Sequence, residues 1–415
     1  MAGYGVDTPR LSTGVNEPLL ARCTILWEAN TPNVIVSVDV LGFAQALHEN
    51  IRSRVVALGV ASSDFVLAAT HTHNGPVLPD KLDPFISYNL TDLNEVNAYA
   101  SSLASKLVAL VGATLRAPRT PCTLDYSVLS AGFSENRASL PNNIETVVPA
   151  LVARTNAGVP RAVLFSYGAH LVNGGQQNSF DPDYPSNAIK TIEAAFPGAT
   201  AQFLLGPAGD QNPTGGRGFT QSDDHGDQLG EKVVSGIRIP GANIVGPILS
   251  AYDRVSLPLD VTNTPSNIAA VKALYDARAG LIGYEPRHAI VQSRAASNGS
   301  FGTSVSLPLQ VWKLGGLTII FSGGEVVSGY AIVLRREYDN LWFVGYANEV
   351  PAYIPSNELL DRKGLGGGDY EAGINPNQPG IAGGSMAVYN HFGHFLSGST
   401  GVETTYLAAA RRLVG

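Results

Sequence analysis

Phe65-Val66-Leu67-Ala68-Ala69-Thr70-His71-Thr72-His73-Asn74-Gly75-Pro76 is an apolar run that leads into two histidines and is stopped by Asn-Gly-Pro. Such a run reads as a buried strand that delivers imidazoles at its C-terminal end. Side chains alternate faces along a strand, so His71 and His73 are expected on the same side of it. Two nitrogens converging on one space suit a borderline-soft cation such as zinc. A lone His-x-His reads equally well as a pair of satisfied core or turn histidines, so the decision rests on what the rest of the chain brings to the same place.

Working outward, strand and helix patterns alternate. Upstream, the β-branched run Asn33-Val34-Ile35-Val36-Ser37-Val38 ends at Asp39 and a helical pattern follows at about 43–58. Downstream, a loop rich in Pro, Asp and Asn occupies 77–93, and an amphipathic helix pattern runs over about 95–115. The strand-to-histidine device then recurs: Arg161-Ala162-Val163-Leu164-Phe165-Ser166-Tyr167-Gly168-Ala169 is an apolar strand with His170 at its tip. A polar, glycine-rich loop at 173–178 follows, and Asp181-Pro182-Asp183-Tyr184-Pro185 reads as a capped helix start. Ala201-Gln202-Phe203-Leu204-Leu205 is the next strand, opening into Gly206-Pro207-Ala208-Gly209-Asp210-Gln211-Asn212-Pro213.

The stretch 233–304 is less informative. Beyond it, two strands separated by Gly315-Gly316 read as a hairpin. The second, Leu317-Thr318-Ile319-Ile320-Phe321, ends in Ser322-Gly323-Gly324-Glu325, with a helix pattern to about 338. Alone, Glu325 reads as an acid at a helix N-terminus, favoured by the dipole. A last strand, Leu341-Trp342-Phe343-Val344-Gly345-Tyr346-Ala347-Asn348, runs into Glu349-Val350-Pro351-Ala352-Tyr353. This alternation argues for an α/β fold: one domain over 1–415, a mixed central β-sheet flanked by helices, and functional residues collected at strand C-terminal ends.

Composition limits what the site serves. With 15% charged residues and a net charge of −7, the chain has no basic block to track a phosphate backbone, so nucleic acid is not an expected partner. The two cysteines, Cys23 and Cys122, have no CxxC-type spacing, which argues against a thiolate metal site and leaves a buried thiol or a single bridge open. No run of about 18 or more apolar residues occurs, so no membrane span is expected. Residues 1–7 show no basic region followed by an apolar core, so no leader is expected on this chain. The sequon Asn89-Leu90-Thr91 and the wealth of Gly, Ser, Thr and Asn over Lys fit an exported protein.

Two further motifs are set aside. Gly364-Leu365-Gly366-Gly367-Gly368-Asp369-Tyr370-Glu371 is glycine-rich but follows no apolar strand, which excludes a dinucleotide fingerprint. His391 and His394 are spaced for one helix face but lack the glutamate of HExxH, and read as solvated or capping residues.

Taken together, the strand ends His71, His73, His170 and Glu325 resemble those of the neutral/alkaline ceramidase family, in its catalytic N-terminal domain. His71-Thr72-His73-Asn74-Gly75-Pro76 is similar to that family's His-Thr-His-Ser-Gly-Pro, with Asn74 replacing serine. Asn136-Arg137-Ala138-Ser139 resembles its Asn-Arg-Ser segment and Ala169-His170 its second metal-ligand strand. Asp183-Tyr184-Pro185 resembles the family's helix start, and Gly209-Asp210-Gln211-Asn212-Pro213 its Gly-Asp-Val-Ser-Pro loop. Gly324-Glu325 resembles the Pro-Gly-Glu ligand, while Gly345-Tyr346-Ala347-Asn348 through Tyr353 and then Tyr370-Glu371 resemble the closing segment. The likeness spans about 2–385, and no counterpart of the family's immunoglobulin-like C-terminal domain is expected within 1–415.

The resemblance implies one Zn²⁺ per chain, held by His71, His170, Glu325 and the phenol of Tyr353. It places His73, Arg137 and Tyr370 around the scissile group as catalytic residues, and Asn212, Asp210 and Asn74 on the substrate side. Asp39 and Asp183, with Asp210 as an alternative, are expected to orient the imidazoles. The family implies a secreted or periplasmic hydrolase of linear amides, cleaving a lipid or other small N-acyl amide such as ceramide to a carboxylic acid and an amine. Asn212, standing where the family has a substrate-contacting serine, puts ceramide itself in question. Zinc with an open position makes hydroxide available at neutral pH, Arg137 and Tyr370 are donors for a developing oxyanion, and His73 is the candidate general acid. The alternatives are a zinc esterase or amidase on a more polar substrate, or a non-catalytic carbohydrate-binding module.

Overall fold

A computed structural model describes residues 1–4, 10–79, 93–261, 263–277, 293, 296, 297, 299, 301–362, 369–375 and 382–415. The sequon at Asn89 and the glycine run from Gly364 to Gly368 lie outside the described residues. The elements that build the site are, in chain order, β1 (Ala21–Glu28), β2 (Thr31–Val38), α1 (Gln45–Val56), β3 (Phe65–Ala69), α2 (Leu93–Arg116), β4 (Cys122–Ser130), β5 (Val147–Thr155) and β6 (Pro160–Tyr167). There follow α3 (Pro185–Ala195), β7 (Thr200–Leu205), α4 (Phe219–Ile237), β8 (Ala242–Ile244), β9 (Ile248–Pro258), β10 (Ser304–Leu314) and β11 (Leu317–Ser322), then α5 (Ser328–Glu337), β12 (Leu341–Val344) and α6 (Val402–Val414).

The mixed α/β expectation holds, but the single central sheet does not. The strands form three larger mixed sheets, ordered β1-β2-β3, β7-β6-β5-β4-β8 and β9-β10-β11-β12, with short two-stranded pairings beside them. Each sheet contains one parallel pair joined across a helix: β2-α1-β3, β6-α3-β7 and β11-α5-β12. The antiparallel partners β1, β4 with β5, and β9 with β10 then widen each unit into its own sheet. Hydrophobic periodicity identifies strands but does not say which ones pair, and this is why the sequence reads as one sheet.

Alternation along the strands explains how the three sheets meet. In β2 and β3, Val34, Val36, Phe65 and Leu67 face α1 and α2, while Ile35, Val66 and Ala68 turn the other way. In β6 and β7, Val163, Phe165 and Phe203 pack on α3 and α4, while Leu164 and Leu204 turn inward. In β11 and β12, Ile320 and Phe343 face the α5 and α6 side, while Ile319, Phe321, Trp342 and Val344 turn inward. The inward residues of all three sheets form one shared apolar cluster, so each sheet is buried on both faces. Burying a side chain of this size contributes about 1.5–3 kcal/mol. The sheets are also tied by polar bonds, including Trp342 Nε1 donating to Ser166 Oγ at 2.9 Å.

Helix α2 is long and apolar enough to cross a bilayer by length and composition. In this fold its Ala100, Leu103, Ala104, Leu107 and Val111 face β1 and β2 in one apolar cluster. Cys23 and Cys122 are free thiols. His391 and His394 lie beyond the short helix Gly384–Val388, so they share no helix face. Each is held by a backbone carbonyl, that of Pro351 and that of Phe395.

Candidate metal centre at six strand ends

All three parallel units point the C-terminal ends of their strands at one place. The unit β2-α1-β3 brings His71 and His73, which follow β3, together with the Leu41 carbonyl, which follows β2. The unit β6-α3-β7 brings His170 after β6 and the Ala208 carbonyl after β7. The unit β11-α5-β12 brings Glu325 after β11 and Tyr346 after β12. In each unit one strand end supplies a candidate ligand and the other supplies the group that orients it: His71 Nδ1 bonds Leu41 O at 2.5 Å, His170 Nδ1 bonds Ala208 O at 2.6 Å, and Tyr346 OH lies 3.4 Å from Glu325 Oε2.

His71 and His73 do converge, with Nε2 atoms 3.1 Å apart, but strand alternation is not the reason. Strand β3 ends at Ala69, and His71 sits in the left-handed region with φ 67°, as do Tyr346 at 55° and Asn348 at 65°. Non-glycine residues held there cost of order ~1–3 kcal/mol each and cluster at functional sites. The turn is held by neighbouring chain: Thr70 and His71 N–H donate to Val38 and Val40 carbonyls, and Asn348 N–H donates to Leu67 O.

Hydrogen bonding fixes which nitrogen of each imidazole faces the centre. Nδ1 of His71, His73 and His170 each meets a backbone carbonyl, those of Leu41, Gly3 and Ala208, and so must carry the proton. All three Nε2 atoms then face inward. Burial pushes the His73 pKa well below the usual histidine value, with His71 and His170 adding to it. Burial, reinforced by Arg137, brings His170 to about 4. His73 and His170 are therefore neutral at pH 7.

This arrangement lacks a proton that a metal ion would replace. Nε2 of His71 faces Glu325 Oε2 at 3.1 Å and His73 Nε2 at 3.1 Å, and both partners are acceptors. Nε2 of His170 lies 3.2 Å from Glu325 Oε2 and 3.2 Å from Tyr353 OH. Ligand atoms ~2.0–2.1 Å from a tetrahedral zinc lie roughly 3.3 Å from one another, so the spacing matches. The imidazole nitrogens of His71, His73 and His170 all fall within 4.8 Å of one another. The residues present thus fit a divalent cation of zinc's size and ligand preference.

Burial grades the site. His71, His170, Glu325 and Tyr353 are 3% exposed or less, whereas His73, Arg137 and Asn212 are half-buried and Tyr370 is 40% exposed. The group expected to hold the metal forms the floor, and the group expected to act on substrate forms the mouth. Arg137 spans the two: Nη2 donates to Tyr353 OH and Gly209 O, each at 2.9 Å, and Nε to Glu371 at 2.5 Å. Its guanidinium lies 5.5 Å from the ring centroids of both Tyr353 and Tyr370. Nη1 makes only a long contact, 3.5 Å to Asn212 Oδ1, among the described residues.

Several expected roles are not carried by the expected residues. Asp39 does not reach an imidazole; it accepts from Thr70 Oγ1 and Leu20 N–H. Asp183 accepts from Gly174 and Tyr184 N–H, which shapes the 173–184 loop. The carboxylate of Asp210 is occupied by Ser328, Gln211 and Asn136. Asn74 is buried and bonded to Arg10 and to Gly175 O, which ties the neighbouring loops together. The short backbone carbonyls do the orienting work, and a carbonyl has no signature in sequence. Two phenols were also missed: Tyr346, and Tyr389, whose OH bonds Glu325 Oε1. Tyr346 belongs to the closing segment of the resemblance but has no role assigned there, and nothing in the sequence marks Tyr389. Glu325 is no helix cap, since α5 begins three residues later and its side chain is turned to His71 and His170.

No protein-family model matches the sequence, and no curated protein matches it significantly. Solved structures do match. The crystal structure of neutral ceramidase from Pseudomonas aeruginosa superimposes with a TM-score of 0.67 at 18% identity, covering 99% of this chain and 73% of that one. A ceramidase complexed with C2 gives a TM-score of 0.68 at 17% identity, covering 99% and 72%. Over nearly its whole length, therefore, the chain has the fold of the neutral ceramidases.

Proposed function

We propose that this protein is a zinc-dependent hydrolase of linear amides, acting on an N-acyl amide such as a ceramide or a smaller acylated amine. The observation that carries the reading is the ligand cluster: the inward Nε2 atoms of His71, His73 and His170 against the Glu325 carboxylate, at spacings that suit one small divalent cation. The shared ceramidase fold supports it. His71, His170, Glu325 and Tyr353 would hold the ion at the floor. Zinc in such a set supplies Lewis acidity and brings hydroxide within reach at neutral pH.

The remaining chemistry belongs to this chain's side chains. Arg137 is held in place by Glu371, Gly209 O and Tyr353, which leaves Nη1 to donate to a substrate carbonyl oxygen as it gains negative charge. Such a donor is worth about 3 kcal/mol. Tyr370, at the mouth, offers a second hydroxyl. His73, neutral with Nδ1–H given to Gly3 O, takes up on Nε2 the proton that the attacking water releases and hands it to the leaving amine. Asn212, beside Arg137, presents an amide where the family has a hydroxyl, and this changes which headgroup is accepted.

A hydrolysis screen of zinc-loaded protein against ceramides, N-acyl amino acids, short acyl amides and simple esters tests the reading. Release of free amine from at least one amide class supports it. Turnover of esters with every amide intact would overturn the amidase assignment.

A further inference from the structure

His71 and His170 take their orienting carbonyls from the body of the fold, but His73 takes its own from residue 3. Gly3 O lies 2.8 Å from His73 Nδ1, and the Tyr4 ring meets the His73 ring edge-on at 5.2 Å between centroids. Residue 3 has to be glycine. Its φ is 100°, and a Cβ built there would lie 2.6 Å from His73 Cα.

The segment is fastened at several points. Ala2 is 1% exposed, its N–H donates to Gly75 O at 2.9 Å, and its methyl packs with Leu41, the residue whose carbonyl orients His71. Arg10, itself 5% exposed, works as a strap. Nη2 donates to Ala2 O and, at 2.6 Å, to His73 O, while Nη1 donates to Asn74 Oδ1 at 2.8 Å and Gln177 O at 2.7 Å. One buried guanidinium therefore joins residue 2 to the backbone of the histidine that residue 3 orients. A structural strap has no need to hydrogen-bond an imidazole at the centre of the ligand cluster.

We infer that residues 2–4 are a working part of the site, with Gly3 and Arg10 as positioning residues: the Gly3 carbonyl fixes the His73 tautomer that presents Nε2 to the reacting centre, and Arg10 holds that carbonyl in place. This rests on the proposed function for its catalytic consequence, but not for the tautomer. Partners that orient an imidazole in this way typically control about 10- to 100-fold in activity or metal affinity.

The test uses Gly3→Ala and Arg10→Gln in the full chain labelled with ¹⁵N-histidine. Two-bond ¹H–¹⁵N correlations report each tautomer, with His73 assigned by its loss in His73→Gln. Wild type should show His73 protonated on Nδ1. Both variants should show a mixture for His73, unchanged signatures for His170, and kcat lower by about 10- to 100-fold at unaltered KM. Retention of the Nδ1–H form and of wild-type kcat in both variants would overturn the inference. So would loss of the His170 signature along with that of His73, which indicates general collapse. Because the tautomer is read without zinc or substrate, a wild-type protein that hydrolyses nothing would sink the proposed function and leave this result standing.

Discussion

Replacing Glu325 by glutamine should move the metal-free and the zinc-loaded protein in opposite directions. Without metal, the Glu325 carboxylate faces His71 Nε2 at 3.1 Å and His170 Nε2 at 3.2 Å, and the contact with the neutral, Nδ1-protonated His170 sets one acceptor against another. A glutamine of the same shape places N–H donors there instead. Exchanging a buried acceptor–acceptor contact for a donor–acceptor pair is worth about 1–3 kcal/mol. With zinc, the same change removes an anionic ligand. A site saturated at about 100 times Kd stabilises the fold by ~2.7 kcal/mol, and a 100-fold loss of affinity reduces that to about 0.4 kcal/mol. Thermal unfolding of both proteins, each with chelator and with excess zinc, reads all four states. Metal-free Glu325→Gln should melt above metal-free wild type, while its upward shift on adding zinc should largely vanish. A variant less stable than wild type without metal, yet shifted equally by zinc, would refute the reasoning.

Other perturbations test separate parts of the site. His73→Ala should retain zinc and lose about 10²–10⁴-fold in kcat, checked by metal analysis beside steady-state kinetics; loss of the metal with the activity would make His73 a ligand. Arg137→Lys keeps the charge but not the fork that reaches Glu371, Gly209 and Tyr353 together, and should lower kcat by about 10²-fold with zinc content unchanged. Asp39 is raised by burial from 3.8 to about 6. A carboxyl with a raised folded pKa stabilises below its unfolded pKa and loses that stabilisation as pH rises through the folded value. Asp39→Asn should therefore gain on wild type by about 3 kcal/mol between pH 4 and 6 and stay level above, measured by denaturant unfolding in that range. Glu349, 1% exposed, pairs with His48 at 2.8 Å and with both Arg254 nitrogens at 2.7 Å. Glu349→Ala should cost ~3–5 kcal/mol by the same measurement.

The sequence made the ligand candidates legible because chemistry-bearing side chains at the ends of apolar runs are a local signal. His71, His170 and Glu325 each follow such a run, and the structure brings all three together. The strand ends were legible for the same reason, whereas the division into three sheets was not. Strand β1, part of one sheet, shows no clear period-two signal over its full length, and β9 lies in the uninformative stretch 233–304. Pairing depends on which strand covers which apolar face, a long-range choice that period-two alternation does not encode. Orientation was the least legible layer. Asp39 and Asp183 looked suited to steering imidazoles, yet the carbonyls of Leu41, Gly3 and Ala208 hold them, and any residue type could carry that carbonyl. The left-handed turn at His71 was hidden as well, because histidine gives no hint of positive φ in the way that glycine would.

Metal content and amide cleavage, measured together on chelator-treated and zinc-restored protein, test the central claim most directly. Wild type should take up about one zinc per chain, have no amidase activity when stripped and regain it on restoration, while His170→Ala neither retains the ion nor regains activity. Full amide cleavage by stripped protein, or undiminished zinc in His170→Ala, would contradict it.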